Sequence, residues 1–387
     1  MMNRMFSFGR FLTPIFFCCM TATRLGSANE GISPPSPLVP QIQALEGLLE
    51  DYEKEAKNPY PEWTCTQYAF KKGDSDPIVR TVKKQLKDPD LGTSFDFDDD
   101  LEQAIIRFQK QHFLKPDGVI GKATCRALNM TVTDRIRKIK LNLKRWKKLS
   151  PLLNGRCVIV NVPTYHAEAM EGGQSILKQD IIVGMKSRAT PLFSTTLTRV
   201  VLNPAWYMPD SIFFKDKLKK IQKDPNYLTR NFYVVADQDG ELVSPHTVDW
   251  DQISDGYLPY RIRQLPGSHN ALGRIKFHLE GTQAIYMHDT PQKELFQKCP
   301  RAFSSGCIRL SKPLDLALWA LSKTDLKSAK EFEETIEGGQ TKTYGLEKPL
   351  PVYFTYITVW VDENGQGLFS DDPYDLDEKE MRQERGK

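Results

Sequence analysis

The chain has 387 residues, room for two or three domains at about 150 residues each, with ample length to bury a core. Hydrophobic residues make up 40% and charged residues 26%, which excludes disorder throughout and a polytopic membrane protein. Lys plus Arg number 53 against 49 for Asp plus Glu; a net charge of +4 is too small to argue for nucleic acid, and no nucleic-acid partner is expected.

The N-terminus reads as an address. Arg4 and Arg10 precede or open an apolar run from Phe11 to Met20, which contains Pro14 and is about half the length of a spanning helix. Gly26, Ser27 and Ala28 follow. The pattern fits a secretory signal over residues 1–28, cut after Ala28. A buried N-terminal helix and an uncleaved anchor are the alternatives, and membrane contact is expected only through this segment if it is retained. Of the seven cysteines, Cys18 and Cys19 fall within the signal. The rest (Cys65, Cys125, Cys157, Cys299 and Cys307) are odd in number, which in an exported protein leaves a thiol unpaired. Cys65 and Cys125 are a candidate disulfide pair, which sequence cannot test. No CxxC pair and no His pair with zinc-ligand spacing occurs, so no metal site is expected.

Residues 29–74 read as a linker (NEGISPPSPLVP) followed by a helix over about 41–56, with Ile42, Leu45 and Leu49 at helical spacing. Residues 75–130 read as three short helices. The first starts at Asp76 and Pro77, with Val79, Val82 and Leu86 on one face. The second has N-cap candidates in DFDDD and the apolar set Leu101, Ala104, Ile105 and Phe108; the third follows Gly121. The pair Phe108-Gln109, the turn PDGVIG at 116–121, Thr124 and Leu128 together resemble the three-helix peptidoglycan-binding domain. A small helical spacer is the plain alternative.

Residues 131–154 read as a basic connecting helix (VTDRIRKIKLNLKRWKKL), with Ile136, Ile139 and Leu143 on one face. Its cations suit either a solvated face or an anionic polymer or membrane surface. From 155 to 361 the period changes. Short β-branched runs at Cys157–Val162, Ile181–Val183, Leu197–Leu202 and Ala284–Met287 indicate a mainly β domain, with helices near Lys215–Lys223 and Leu314–Leu321. An insertion over about 207–266 reads poorly as core strand and suggests a lid or binding loop, with Trp206 and Tyr207 at its hinge. Pro351–Val361 reads as one last strand, and residues 362–387 as an acidic tail that frays from Asp371.

The chemistry lies in HDTPQKELFQKCPRAFSSGCIRL, residues 288–310. His288 follows the strand-like AIYMH, and Cys307 comes 19 residues later behind Gly306. A free thiol titrates at about 8.5, so a nucleophilic Cys307 needs either a lowered value or a base to take its proton, and an imidazole is the usual partner. Gly306 permits a tight turn in which the N–H groups of Ser305, Gly306 and Cys307 converge as an oxyanion hole requires. A buried Cys and a satisfied core His are the alternative.

H-D-T followed by S-S-G-C-I-R resembles the L,D-transpeptidase (YkuD-type) signature. Its common form has His where this chain has Ser305. That departure is similar to a larger YcbB-like subgroup, and it leaves His288 as the one candidate base. The segments NVPTYH, VGMKSRATP, NPAWYMPDSI and PGSHNALGRIKF also look like that subgroup's landmarks, and the resemblance spans about 75–361.

The fold it implies is α+β multidomain: a three-helix peptidoglycan-binding module plus a mainly β catalytic domain with an inserted lid. The resemblance further implies a Cys307 acyl-enzyme with His288 as base, 3→3 cross-linking of tetrapeptide stems with release of D-Ala, and acylation by carbapenems. Tyr286, whose hydroxyl would join the oxyanion hole, and Arg309, which could grip a substrate carboxylate or brace the turn, complete the set; Gly273 and Arg274 would shape the cleft wall. Peptidoglycan stem peptides, glycan and other wall-synthesis proteins are the expected partners, no cofactor is needed, and the location is the periplasm or cell envelope. An L,D-carboxypeptidase or cross-link hydrolase using the same pair, and a non-catalytic wall-binding protein, are the rivals. A papain-like peptidase is disfavoured because it places Cys first and His far downstream.

Overall fold

The computed structural model describes residues 38–57, 69–86, 88–224, 226–254, 256–282, 285–322, 329–362 and 364–385. The expected signal segment and Cys65 lie outside them, while Cys125 is disulfide-bonded. Helix α1 (Leu38–Glu55) is followed by three helices: α2 (Pro77–Leu86), α3 (Asp99–Gln111) and α4 (Lys122–Leu128). Asp98 caps α3 by accepting the Leu101 N–H at 2.9 Å, a bond typically contributing about 1 kcal/mol. Val79, Val82, Leu101, Ile105, Phe108 and Leu128 form their core.

The motif residues have a structural explanation. Gln109 is buried, and its amide donates to Val119 O (2.9 Å), Asp117 Oδ1 (3.0 Å) and Thr124 Oγ1 (3.0 Å), while its carbonyl accepts the Gly118 N–H (2.9 Å). One glutamine thus stitches the PDG turn to two helices.

Helix α5 (Val132–Leu149) leads into the β-rich part. Strands β1 (Cys157–Asn161), β2 (His166–Glu171), β3 (Gln174–Gly184) and β4 (Ser194–Leu202) come first. The insertion then supplies β5 (Trp206–Tyr207), α6 (Asp210–Ile212), a π-helical turn over Phe213–Lys217, α7 (Leu218–Lys223), α8 (Tyr227–Arg230), β6 (Tyr233–Ala236), β7 (Leu242–Val243) and β8 (Arg261–Gln264). The chain returns through β9 (Ile275–Leu279), β10 (Met287–His288), β11 (Ala302–Ser304), β12 (Ile308–Leu310), α9 (Pro313–Leu321), α10 (Ala329–Glu337) and β13 (Lys342–Thr355). It ends in β14 (Val359–Val361), β15 (Gly367–Phe369) and α11 (Leu376–Arg385).

The main sheet runs β11-β3-β12-β10-β9-β4-β13-β1-β2. Strand β3 pairs along its first part with β2 and beyond Asp180 with β12 and β11, so the ends of the sheet meet. Val160, Val183, Val200, Phe277, Ile308 and Val352 fill its interior, closed by Leu316 and Leu321 of α9 and Phe332 of α10. The insertion is better ordered than its sequence suggests. Its four strands form a separate sheet, β5-β8-β6-β7, over a core of Phe213, Leu218, Ile221, Val235, Trp250 and Ile262. Strands of two to four residues are too short to display a readable alternation.

Three expectations are corrected. The run Pro351–Val361 is two strands. The chain leaves the ladder at Tyr356–Thr358 because side chains take over its backbone: Ile357 N–H donates to Asn161 Oδ1, and Thr358 N–H to Asn142 Oδ1, each at 2.8 Å. The basic helix α5 is a solvated face only in part, with Lys140, Lys144, Lys147 and Lys148 exposed. It packs against α1, β14 and α11, and several of its cations meet acids of α1 and α11. Lys140 reaches Glu53 and Lys147 reaches Glu46, both at 2.8 Å. The acidic tail does not fray, because Asp377, 1% exposed, accepts from Arg145 (2.6 Å) and Thr358 (2.6 Å) with Lys138 at 3.4 Å.

Removing one member of a buried ion pair strands the others. Asp377→Ala is therefore expected to lower unfolding stability by about 3 kcal/mol, read from denaturant titration of the full chain. An effect within the usual surface range of about 0.5 kcal/mol would mean that the tail carries no load.

Candidate active site

Strand β10 pairs parallel with β12 on one side and antiparallel with β9 on the other. His288 stands opposite Arg309 across the first pairing and opposite Lys276 across the second. Directly paired residues share a sheet face, and residues two apart along a strand do too. Lys276, Tyr286, His288, Cys307 and Arg309 therefore share one face, while Met287, Phe277 and Ile308 point into the core. Tyr286 bonds across to the nucleophile turn, its carbonyl accepting the Ile308 N–H at 2.9 Å and its own N–H donating to the Cys307 sulfur.

His288 is 4% exposed. Its Nδ1 bonds the carbonyl of Asp289, so Nδ1 carries the proton and Nε2 is the accepting nitrogen. Burial, reinforced by the Arg309 charge, pushes the imidazole down to about 3, so it stays neutral. Asp289 is itself fixed: its Oδ2 accepts the Arg274 N–H at 2.8 Å and its Oδ1 meets Lys293. Gly273, at φ +61°, makes the room, since a Cβ there would fall 2.4 Å from the Asp289 carboxyl.

Cys307 is a part-buried thiol outside any disulfide. Burial raises its pKa, and this outweighs the Tyr286 N–H and the charges of Arg309 and Lys276, which act to lower it. Of the two ways to make the sulfur react, the resting structure adopts the second. The thiol is protonated beside a neutral base.

The turn around Cys307 is heavily committed. Gly306 sits at φ +119°, where a Cβ would approach the Ile285 side chain to 3.3 Å. Its N–H donates to Ser304 Oγ at 3.1 Å, which removes it from the expected trio of oxyanion donors. Its carbonyl accepts the Thr190 hydroxyl at 2.8 Å. Thr190 N–H in turn donates to the Tyr374 hydroxyl at 3.1 Å, and that hydroxyl donates to Gly184 O at 2.6 Å. Ser305 is exposed, and its hydroxyl accepts from Arg188 at 2.9 Å. The same guanidinium grips Asp216 of the insertion bidentately, at 2.6 and 2.7 Å.

The structure thus gathers Cys307, His288, Tyr286 and Arg309, and commits the Gly306 N–H to the turn itself. Sequence reasoning missed Lys276, Arg188, Thr190 and Tyr374. Lys276 alone had a signal: Ile275, Phe277 and Leu279 are the buried members of an alternating run, which puts Lys276 on the other face.

A family model described as "L,D-transpeptidase catalytic domain" (YkuD) matches residues 155–331, and one described as "Putative peptidoglycan binding domain" matches residues 75–128. A Haemophilus influenzae protein named "Putative L,D-transpeptidase" is 36% identical over 241 residues, 62% of this chain and 48% of that protein, so the chain spans about half of its relative's length. Among solved structures, an L,D-transpeptidase from Stackebrandtia nassauensis is 14% identical with a TM-score of 0.27, covering 76% of this chain and 97% of that one. One from Mycobacterium smegmatis is 13% identical with a TM-score of 0.25, covering 52% and 58%. The chain carries an L,D-transpeptidase catalytic domain and, ahead of it, a peptidoglycan-binding domain.

Proposed function

We propose that this protein is a peptidoglycan L,D-transpeptidase of the cell envelope that forms 3→3 cross-links through a Cys307 acyl-enzyme. The observation that carries the reading is a thiol outside any disulfide, one strand from a neutral imidazole whose Nδ1 is anchored. In this mechanism Cys307 Sγ attacks the carbonyl of the third residue of a tetrapeptide stem while His288 Nε2 takes the thiol proton. The tetrahedral oxyanion is held by amides of Ser305 and Cys307 with the Tyr286 hydroxyl. The carbon–nitrogen bond to terminal D-Ala breaks, and His288 returns the proton to the departing amine. A side-chain amine of a neighbouring stem then attacks the thioester, loses its proton to His288, and regenerates the thiol. The helical module at 75–128 would hold the enzyme on its polymer, and a carbapenem would acylate the same sulfur.

Mass spectrometry of products from defined disaccharide tetrapeptides tests the reaction. Cross-linked dimer with free D-Ala is expected from the intact enzyme, and none from Cys307→Ala. Tripeptide without dimer would assign the same site to a carboxypeptidase instead.

The pH dependence follows from the two groups. A base neutral above about 3 loses its function only as pH falls toward that value, and a raised thiol loses its proton only in the alkaline range. The acylation rate constant kcat/KM is therefore expected to be flat between about pH 5 and 8. An acid limb near 6.5 would show that His288 is not held neutral. Simple alkylation of Cys307 should climb steadily with pH to the alkaline side; a plateau below neutrality would reveal a resting thiolate.

A further inference from the structure

Two cations flank the catalytic strand with no carboxylate in ion-pair contact among the described residues. Lys276 on β9 and Arg309 on β12 stand on either side of His288, on the face that carries Cys307. Both are half-buried. By contrast, Lys83 meets Asp98 at 2.5 Å, and Arg145 meets Asp377 at 2.6 Å. Among the described residues, neither Lys276 nor Arg309 makes an ion pair. The Lys276 ammonium lies over the Tyr286 ring, 3.7 Å from its centroid, and Arg309 donates to the neutral Gln292 Oε1 at 2.8 Å. Asp289, the nearest acid in sequence to His288, is already taken by Lys293 and the Arg274 N–H. Exposed Glu294 reaches Arg309 only as a distant charge. The next strand adds more positive charge, with Arg199 of β4 bonded to His278 of β9 at 3.0 Å. Burial depresses both Lys276 and Arg309, the mark of cations held where water is scarce.

Keeping unpaired charge in such a place costs stability unless an anion completes it. We propose that Lys276 and Arg309 together form the subsite for the terminal carboxylate of the acyl donor, so that the sulfur acts one residue in from a free C-terminus. The reaching distances agree. Neighbouring strands lie about 4.8 Å apart, so Lys276 on β9 and Arg309 on β12 stand two spacings apart across β10, a gap that two long side chains can close on a carboxylate lying one residue, about 3.8 Å, beyond the attacked carbonyl. A donor whose terminal carboxyl is already tied up as an amide gives the pair nothing to bind, which separates an enzyme that trims or transfers chain ends from one that opens existing cross-links. Lys276 is thereby a specificity residue, and Arg309 its forked partner.

This inference names the donor subsite of the proposed transpeptidase, and one arm of its test is independent of that reading. Iodoacetate and iodoacetamide differ only in a carboxylate beside the reacting carbon. In the full chain, the iodoacetate-to-iodoacetamide rate ratio at Cys307, followed by peptide mass spectrometry, is expected to exceed that of free cysteine about tenfold at low salt. It should fall toward the free-cysteine value in Lys276→Gln, in Arg309→Gln and at high salt. A wild-type ratio at or below that of free cysteine overturns the subsite. In the second arm, stem peptides ending in D-Ala are expected to acylate roughly 30-fold faster in kcat/KM than the same peptides ending in D-alaninamide. Lys276→Gln should erase most of that difference, chiefly through KM. Equal use of the two donors by the wild type overturns the inference. A strong haloacetate preference with acylation by neither donor overturns the transpeptidase reading and leaves the anion subsite standing.

Discussion

The parallel pairing of β10 with β12 is the constraint on which the site depends. Antiparallel neighbours can be joined by a two-residue turn, but parallel neighbours need a crossover of a dozen or more residues. The 19-residue interval between His288 and Cys307 is that crossover. It carries the chain away from β10 through the Lys293–Gln297 turn, along β11 at the sheet's edge, and back into β12. The spacing in the sequence signature is therefore a topological requirement as well as a chemical one. Once the two strands lie side by side, the register puts the imidazole, the thiol and the two cations on one face without further instruction.

Much of this was legible because it is local. Helix periodicity, caps and the turn behind Gln109 act over fifteen residues or fewer, and the glycine ahead of Cys307 announces its own turn. What escaped was long-range. The charges of α5 looked solvent-bound because their partners sit far off, Asp377 being 232 residues from Arg145. The acidic tail looked idle for the same reason. The thiol's protonation could not be read either, since burial, which decides it, is a property of the assembled sheet and not of the residues beside Cys307.

The turn around Cys307 shows how distant segments share one task. Thr190 links its carbonyl to Tyr374 near the chain's end, and Arg188 links Ser305 to Asp216 in the insertion. The insertion has its own sheet over a core that also takes in Leu272, and this one guanidinium ties it to the nucleophile turn.

A sulfur kept protonated until a substrate supplies the occasion has another consequence. Thiolates attack peroxides and foreign disulfides far faster than thiols do, so a group poised in the charged form would be spent by any oxidising milieu it was sent into. Here burial suppresses that form and the base is released from it. The arrangement gives up nucleophilic readiness at rest and gains chemical durability, the same trade a safety catch makes between speed and survival.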